Sequence, residues 1–505
     1  MIIKPLRAQK PRPVALLVPG WRSIDVYSED GVKSARGPQR CWNLLKTYEH
    51  HVCYVASNLK GLTDVTGATH WRAELWKGRA VAMTLDGTTL KVLSLRRTLN
   101  GCNTPAAQYE ALTAVTNWLA DQGVKMGSLS AMAWNLWRST LTSPLELGFN
   151  PAVGRAAFFG GRKGASRPYN YHDQVSVDIS KAYPHAMTSR PYAASLREVD
   201  KATTLDPEVA GIARVRVYVP EELAFPTLPI RLGPDVIQWR AGLVEGTYPW
   251  GEVVAAASLG CRVEILRSWA PVDEGQPFTA WWSTVQLGFA AVGDDAAKLV
   301  KALGNLVWAS FAMNADQTGA VRWEDDYGDH PFQVEHAPRQ SAQLNTVHIA
   351  AETSSRVRTR MLLEGLYGDS EPPIHVDTDG LICSRASYIR RETGNAVGEW
   401  RAKTFMVDVE MKAPQMYRYR CSHCPHTLAN NSAQHSGDPN WHYVAAGTPG
   451  RFASHLFETH PGFQVSFHDE DVVVGVSGVL DDLQVRRYLE AADELNTTAY
   501  GPKLA

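Results

Sequence analysis

Residues 372–383 have the sequence PPIHVDTDGLIC, in which apolar and β-branched residues stand on both sides of two aspartates. This pattern predicts a β-hairpin with Asp377 and Asp379 in its turn. Residues two apart in a strand point to the same face, so both carboxylates can reach one site if the pair stays extended. A lone Asp-x-Asp is more often a polar turn, and a function therefore needs a partner elsewhere in the chain.

A third aspartate stands near the end of another apolar strand, QVSVDI at residues 174–179. Carboxylates crowded together repel one another, and a divalent cation relieves the repulsion. Mg²⁺ prefers hard oxygen ligands and keeps waters and substrate phosphates in its shell. We therefore expect Asp178, Asp377 and Asp379 to be catalytic ligands of two Mg²⁺ ions, with Mn²⁺ as an alternative.

A third segment, KALGNLVWASFA at residues 301–312, predicts a helix with Lys301, Asn305 and Trp308 on one face. A cation, an amide and an aromatic ring along one stripe fit a triphosphate, a sugar and a base. A solvated lysine beside a half-buried tryptophan gives the same pattern, and that alternative stays open for this segment taken alone.

These segments, in their order along the chain, resemble the motifs of family B DNA polymerases. VDISKAYPHAM (177–187) resembles motif A, DxxSLYP; KALGNLVWAS (301–310) resembles motif B, KxxxNSxYG; and HVDTDG (375–380) resembles motif C, YxDTDS. FFGGRKG (158–164) is similar to the YxGG/R element of the protein-primed and related phage or plasmid branches. The resemblance implies a divergent member of phage or mobile-element type.

The resemblance continues around these motifs. VHIAAETSSRVRTRML (347–362) is similar to the helix before motif C, and KAPQMYRY (412–419) to the KxY motif after it. The resemblance thus spans residues 126 to 450 or so. It implies a DNA-directed DNA polymerase that adds dNMP to a primer 3′-hydroxyl by two-metal nucleotidyl transfer.

Site roles follow residue by residue from the resemblance. Asp178 and Asp379 would be the principal metal ligands and Asp377 the accessory carboxylate. Tyr183 would pack under the incoming sugar and exclude a 2′-hydroxyl, which implies dNTPs as substrates. The remaining roles are triphosphate binding by Lys301, nucleotide binding by Asn305 and Trp308, primer contact by Tyr417, and template-backbone contact by Gly160, Gly161 and Arg162.

The implied partners are primer-template DNA, dNTPs and a processivity or priming protein. Several positions depart from the family pattern, although none removes a metal carboxylate. The departures leave nucleotide selectivity, fidelity and primer grip open. They are Lys181 in motif A, Leu306 and Trp308 in motif B, His375 and Gly380 in motif C, and Gln415 in place of the KxY lysine.

The expected fold is α/β (α+β): a right-hand polymerase with palm, fingers and thumb, preceded by a degenerate RNase H-like exonuclease domain. Predicted strands cover 14–18 and 51–56, and predicted helices cover 109–119, 128–136, 294–312 and 350–367. The expected segments are 1–145, exonuclease-like; 146–230, template-binding loop and palm; 231–345, palm insertion and fingers; 346–415, palm; and 416–505, thumb.

The first of these segments lacks the acids of a proofreading exonuclease. Its first strand, VALLVPGWRS (14–23), contains no acid where active relatives carry a DxE pair, because phosphodiester hydrolysis also needs two metals. In SNLKGLTD (57–64), Asn58 fits the second motif but Asp64 is one residue out of register. We therefore predict no 3′–5′ proofreading; Asp25 and Glu29 could be displaced ligands, but exposed loop acids are favoured.

A zinc site is a further candidate, in the segment predicted as thumb. Cys421 and Cys424 have zinc-knuckle spacing, and His455 and His460 could complete a tetrahedral structural site. His426 and His435 are rival ligands, and a reduced cysteine pair in a loop is the alternative. Residues 428–450, rich in Asn, Ser, Gly and Pro, predict an irregular insertion.

Composition limits the number of domains, the charged surfaces and the disulfides to be expected, but it does not indicate a function. A chain of 505 residues with 44% hydrophobic content predicts more than one domain. Lys and Arg total 51 against 52 acids, so any basic groove must be local; the run from Arg155 to Arg190 is one candidate, or a solvated surface. The seven cysteines are not a disulfide framework for this length.

No apolar run is long enough for a membrane span, and the N-terminus lacks the pattern of a secretory signal. These features predict a protein of the cytoplasm, a host cytoplasm if the source is viral, with no membrane partner. Two alternative functions stay open. One is a specialised lesion-bypass or primer-synthesising polymerase, and the other is a non-catalytic, zinc-stabilised nucleic-acid-binding protein.

Overall fold

The computed structural model describes most of the chain up to residue 445. The described residues are 2–20, 22–48, 50–55, 62, 65–66, 70–75, 80–85, 88–95, 99, 102, 104–165, 169–200, 204–231, 237–312, 319–323, 333–336, 346–368, 371–389, 393–413, 416–421 and 441–445. The chain divides into two compact units. The first comprises Met1–Pro151 with Glu274–Ala350, and the second comprises Ala152–Asp273 with Ala351–Ala505.

The described strands are β1 (Ile2–Ile3), β2 (Val14–Pro19), β3 (Ser23–Ser28), β4 (Gly31–Arg36), β5 (Val52–Val55), β6 (His70–Leu75), β7 (Ala80–Leu85), β8 (Thr88–Ser94), β9 (Leu145–Glu146), β10 (Lys163–Ala165), β11 (Tyr169–Ile179), β12 (Tyr192–Val199), β13 (Ile212–Val219), β14 (Pro229–Arg231), β15 (Ile237–Trp239), β16 (Gly242–Pro249), β17 (Arg262–Gly275), β18 (Gly319–Trp323), β19 (Gln333–His336), β20 (His375–Asp377), β21 (Gly380–Ser384), β22 (Trp400–Ala413), β23 (Met416–Cys421) and β24 (His442–Ala445).

The described helices are α1 (Pro38–Lys46), α2 (Pro105–Asp121), α3 (Leu129–Ser139), α4 (Pro151–Ala157), α5 (Ala182–Thr188), α6 (Trp250–Ser258), α7 (Thr279–Phe311), α8 (Val347–Arg360) and α9 (Arg385–Ile389). A π-helical segment, Met361–Leu366, continues α8. Among the residues that the structure describes, no helix combines the length and apolar character needed to cross a membrane.

The first unit is built on a nine-stranded mixed sheet with the order β19-β18-β6-β7-β8-β5-β2-β3-β4. β2 pairs with β5 in parallel, and β5 with β8 in parallel, whereas β3 and β4 extend the sheet antiparallel. Parallel strands are covered on both faces and are therefore apolar throughout, which explains the buried run VALL at the start of β2. Trp42 and Leu45 of α1 belong to the same core.

Local signals set the start of the helices in this unit. Thr104 accepts a hydrogen bond from Ala107 N at the start of α2, and Pro105 follows at the first helical position. Ser128 caps α3 in the same way through Ala131 N. The helices predicted over 109–119 and 128–136 are thus confirmed, each a few residues longer than the pattern indicated.

The long helix α7 packs on α2 and α3 within the first unit. Its Gly288 lies so close to α2 that a β-carbon there would be 2.4 Å from Trp118 Cζ2. Near its end, the Phe311 ring meets the Trp137 ring of α3 edge-on at 5.1 Å. Gly293 interrupts the helix with φ 73°, and the helix predicted from residue 294 begins directly after this kink.

The second unit contains a seven-stranded antiparallel sheet with the order β10-β20-β21-β11-β22-β23-β24. Its core includes Val175 and Val177 of β11 together with Val357 of α8 and Met361 just beyond it. A separate four-stranded sheet, β12-β17-β13-β16, has α6 packed on its apolar face. β13 alternates buried valines with exposed arginines, as a strand with one solvated face does.

The sequence predictions can be placed on these elements. The hairpin over 372–383, the strand 174–179 and the helix over 350–367 are confirmed, the last with a π-helical end. The irregular insertion predicted over 428–450 is wrong at β24, because His442–Ala445 pairs with β23 and continues the sheet edge. Of the predicted segment boundaries, 145/146 and 345/346 lie close to changes of unit, whereas 230/231 falls inside the second unit.

Packing of α7 on α2 yields a stability prediction. Gly288→Val should lower the free energy of unfolding by about 1–3 kcal/mol, because the new side chain has no room beside Trp118. Denaturant unfolding of the full chain measures this loss. The matched control is Gly275→Val, where a β-carbon meets no atom within 4 Å. Equal stability of the two variants would contradict the close packing of Gly288 on Trp118.

Candidate active site

Strand pairing brings the three aspartates to one end of the second unit's large sheet. Asp178 of β11 lies directly opposite Gly380 of β21, and Ile179 N donates a 2.9 Å hydrogen bond to Asp379 O. Asp379 N in turn donates to Asp377 O at 2.7 Å within the turn. The backbone itself therefore places the ends of β11, β20 and β21 side by side.

The three carboxylates differ in exposure. The Asp178 side chain is only 10% exposed, whereas that of Asp377 is 48% exposed. Burial raises the pKa of the Asp379 carboxyl to about 6; Lys403 opposes this rise, and Asp178 and Asp377 add to it. The neighbouring negative charges thus penalise one another, as carboxylates in a shared site do.

Basic side chains compensate this charge. Lys403 Nζ lies 2.7 Å from Asp178 Oδ2, and Arg401 Nη2 lies 3.5 Å from Asp178 Oδ1. Both residues come from β22, the strand paired with β11 on its other side. On the hairpin side, Lys163 Nζ of β10 lies 3.8 Å from Asp377 Oδ1. None of these three cations was singled out as a site residue from the sequence.

The donor set fits a hard divalent cation. Asp178 Oδ1 is buried and accepts no hydrogen bond from any described residue. In the part of the chain that the structure describes, no three His, Cys, Asp or Glu side chains are already gathered as a ligand set. Carboxylate oxygens of this kind are the ligands that Mg²⁺ prefers.

Close strand packing explains the glycine in motif C. A β-carbon at Gly380 would lie 3.0 Å from Val177 O and 3.5 Å from Asp178 Cβ. The serine of the family pattern would therefore crowd the backbone that carries Asp178. Glycine at this position accommodates a tight approach of β21 to β11.

Two aromatic residues predicted at the site have identified neighbours. Tyr183 of α5 packs against the core of the second unit, and burial raises the pKa of its hydroxyl, with a further contribution from Asp379. The Tyr417 ring lies 5.2 Å from the His375 ring. Burial lowers the pKa of His375 to about 4, so the imidazole is neutral where the family motif has a tyrosine.

The glycine-rich loop lies against the turn that carries Asp377 and Asp379. Thr378 N donates to Arg162 O at 2.7 Å, and β10 pairs with β20 so that Lys163 is opposite Asp377. Arg162 is 6% exposed; its guanidinium donates to Pro226 O at 2.7 Å and lies over the rings of Phe225 and Trp239. These internal contacts were not foreseen, and template contact by Gly160, Gly161 and Arg162 stays a prediction.

The residues of motif B lie on α7 in the first unit. Lys301 and Asn305 are exposed and Trp308 is half-buried, as expected for one partly solvated face. Their roles in nucleotide binding stay predictions, because the three aspartates belong to the second unit.

The run from Arg155 to Arg190 is not a continuous open basic surface. Arg162 is buried, Lys163 pairs with Asp377, and Arg190 Nε lies 2.8 Å from Glu208 Oε2. Within the described residues, these basic groups therefore hold the fold and the turn together rather than forming one exposed stripe.

The described strands of the first unit place some of the acids considered for an exonuclease site. β2 carries no acidic residue. Asp25 lies on strand β3, where it accepts a 2.6 Å hydrogen bond from Ser34, so its prediction as a loop acid is wrong. Glu29 is exposed in the turn after β3, as predicted. Asn58 and Asp64 lie outside the described residues.

Only part of the zinc candidate lies within the described residues. Cys421 ends β23, and its Sγ is 3.3 Å from Nε2 of His442 on β24. The His442 ring stacks on Tyr419 at 4.8 Å. His442 was not chosen as a ligand from the sequence. The residues outside the described ranges are Cys424, His455 and His460, and the rivals His426 and His435.

Pairing of Lys403 with Asp178 yields a prediction for the metal-free protein. Lys403→Met should lower stability in EDTA by about 1 kcal/mol, since the Lys403 side chain is half exposed and the pair is partly screened. Added Mg²⁺ should stabilise this variant more than the wild type. Thermal unfolding with and without Mg²⁺ measures both effects.

The matched control for this prediction is Lys33→Met, which removes an exposed ion pair with Asp30 in the first unit. If Lys403→Met and Lys33→Met respond alike to Mg²⁺, Lys403 does not compensate the charge of the site.

Comparisons with known proteins agree with this geometry. No family model matches the chain. The DNA-directed DNA polymerase of Enterobacteria phage PRD1 is 23% identical over 267 residues, which cover 48% of this chain and 45% of that protein. The matched segment thus spans less than half of the phage protein.

Solved structures extend the likeness to the fold. Phi29 DNA polymerase complexed with primer-template DNA has a TM-score of 0.64 at 11% identity and covers 88% of this chain and 94% of its own. Its complex with primer-template DNA and incoming nucleotides gives 0.61 at 10% identity, with 87% and 93% covered. The chain therefore has the fold of Phi29 DNA polymerase.

Proposed function

We propose that this chain is a DNA-directed DNA polymerase that transfers dNMP from a dNTP to a primer 3′-hydroxyl. The observation that carries the proposal is the direct pairing of β11 with β21, which holds Asp178 beside Asp379 at one sheet end. The PRD1 relative is named a DNA-directed DNA polymerase, and the Phi29 structures contain primer-template DNA and incoming nucleotides. We carry these substrates over to this chain.

In this proposal Asp178 and Asp379 are the principal ligands of two Mg²⁺ ions, and Asp377 is the accessory carboxylate. Mn²⁺ is an alternative ion because it also accepts oxygen ligands. When bound, such ions activate the attacking hydroxyl and stabilise the leaving pyrophosphate in an in-line displacement.

The chain's own side chains would prepare this site before the ions bind. Lys403 and Arg401 lie within ion-pair distance of Asp178 and would orient its carboxylate, and Lys163 would do the same for Asp377. Tyr183, whose neutral hydroxyl lies near Asp379, would bound the sugar pocket and disfavour a 2′-hydroxyl. Lys301, Asn305 and Trp308 would contact the nucleotide, and Tyr417 the primer strand.

Metal dependence of primer extension tests the assignment of the aspartates. Asp379→Asn should reduce the extension rate in Mg²⁺ by about 1000-fold or more, which corresponds to roughly 4 kcal/mol of lost transition-state stabilisation. The matched control is Asp173→Asn, an exposed aspartate at φ 49° earlier on β11. Asparagine tolerates that conformation, so this variant should extend primers like the wild type.

Equal extension by Asp379→Asn and the wild type would overturn the active-site assignment. Loss of extension in every protein tested, with primer-template binding retained, would instead favour the non-catalytic nucleic-acid-binding alternative. Synthesis on a single-stranded template without a primer would favour the specialised, primer-synthesising alternative.

We also propose that the chain lacks 3′–5′ proofreading. A 3′-labelled single-stranded primer should stay intact with Mg²⁺ and no dNTPs, because β2 carries no carboxylate to bind a metal. Gel analysis measures the fraction of primer that stays intact over the time that full extension takes when dNTPs are present. Shortening that disappears in Asp25→Asn would show that a displaced acid serves an exonuclease.

Zinc binding by Cys421, Cys424, His455 and His460 remains part of the proposal as a structural site of the thumb. Among the described residues, the support is the 3.3 Å approach of Cys421 Sγ to His442 Nε2. A processivity or priming partner likewise remains a proposal that follows from the resemblance.

A further inference from the structure

We propose that the loop Phe159–Lys163 positions the metal-binding turn Asp377–Asp379, with Gly161 as the residue on which this positioning depends. The inference rests on the proposed polymerase function. It assigns the adjacent glycines different tasks, whereas the sequence pattern treats them as one small, template-facing pair.

The contact between Gly161 and Thr378 leaves no space for a side chain. A β-carbon at Gly161 would lie 2.5 Å from Thr378 Cγ2 and 2.8 Å from both Thr378 Cβ and Oγ1. Such distances are shorter than any van der Waals contact of carbon, so one of the two segments would have to move. At Gly160, by contrast, a β-carbon meets no atom within 4 Å.

Thr378 has little freedom to move aside. It is a β-branched residue at φ 62°, a conformation that such side chains rarely adopt. Its N–H donates to Arg162 O at 2.7 Å, which holds the turn in this strained form. The flanking residues Asp377 and Asp379 take their directions from this backbone.

The loop is also anchored by hydrogen bonds that involve buried arginine side chains. Arg358 donates to the carbonyl oxygens of Phe159 and Gly160 while forming a two-fold ion pair with Glu252 at 2.8 Å. Both charged side chains are 4% exposed. Arg162 adds its own buried bond to Pro226 O. A side chain at 161 should therefore displace the turn rather than the loop.

The chemical consequence is a shift of the two carboxylates that flank Thr378. Misplacement of a catalytic group by about 1 Å can cost on the order of 100-fold in rate. Gly161 is thus a positioning residue: it acts on the metal ligands through Thr378 and need not touch DNA or nucleotide itself.

A double-mutant cycle of Gly161→Ala and Thr378→Gly tests this role. Gly161→Ala should lower the single-turnover rate by about 100-fold and weaken Mn²⁺ binding, measured by electron paramagnetic resonance, by about tenfold. The Kd of the Gly161→Ala variant for primer-template DNA should stay within about twofold of the wild-type value, because the substitution disturbs the metal site and not the DNA contacts. Thr378→Gly removes both the clash and the strain, so the double variant should match Thr378→Gly within about threefold.

Two further glycine variants serve as comparisons. Gly251→Ala, where the nearest atom to a β-carbon is Pro207 O at 3.6 Å, controls for glycine replacement in the same unit and should behave like the wild type. Gly160→Ala separates the two roles of the loop. If Gly161 positions the turn, the rate loss of Gly161→Ala should exceed that of Gly160→Ala by at least about tenfold.

Several outcomes would overturn the proposal. Equal loss of DNA affinity in Gly160→Ala and Gly161→Ala, with Mn²⁺ binding unchanged, would assign both glycines to template approach. A double variant as defective as Gly161→Ala would show that Thr378 does not transmit the effect. If Gly161→Ala does not fold, recovery of folded protein by Thr378→Gly supports the clash and failure to recover contradicts it.

The Mn²⁺ measurements also separate this inference from the proposed function. A wild type that extends no primer, yet loses Mn²⁺ affinity through Gly161→Ala and regains it in the double variant, would overturn the polymerase activity alone. A wild type that extends primers while Gly161→Ala matches it in rate and Mn²⁺ affinity would overturn the positioning role alone.

Discussion

The pairing of Asp178 with Gly380 across β11 and β21 is the constraint on which the site depends. It joins two stretches that are far apart in the chain, and it does so through backbone hydrogen bonds whose register decides which side chains share an edge. Gly380 permits the approach because a β-carbon there would crowd Val177 O. A slip of one residue would turn Asp178 into the apolar core formed by its neighbours.

Charge compensation follows from this geometry. Backbone pairing brings together acids that repel one another, and the strands on either side supply the cations: Lys403 and Arg401 from β22, and Lys163 from β10. The site is thus a balanced group of charges at the end of a sheet. Asp178 is only 10% exposed, but Lys403 and Asp377 are about half exposed, so water partly screens both ion pairs.

Two departures from the family pattern, His375 and Gly380, acquire physical reasons in this setting. Buried His375 is neutral and contacts Tyr417, so an uncharged ring pair joins β20 to β23 where the family motif has a tyrosine. Arg162, which resembles a template-contacting residue, is buried against Phe225 and Trp239. The sequence alone does not show whether a basic residue beside a glycine pair points its side chain into solvent or into the protein.

The sequence by itself determined the hairpin with Asp377 and Asp379, the strand with Asp178 and the helix after Gly293, because alternation, helical spacing and glycine are local properties of the backbone. It also determined the absence of acids on β2. Only the tertiary structure decided that Lys403 pairs with Asp178, that Cys421 contacts His442, and that Gly161 lies too close to Thr378 for a β-carbon. These contacts join residues distant along the chain, and their partners depend on strand register and on close packing, which no local pattern encodes.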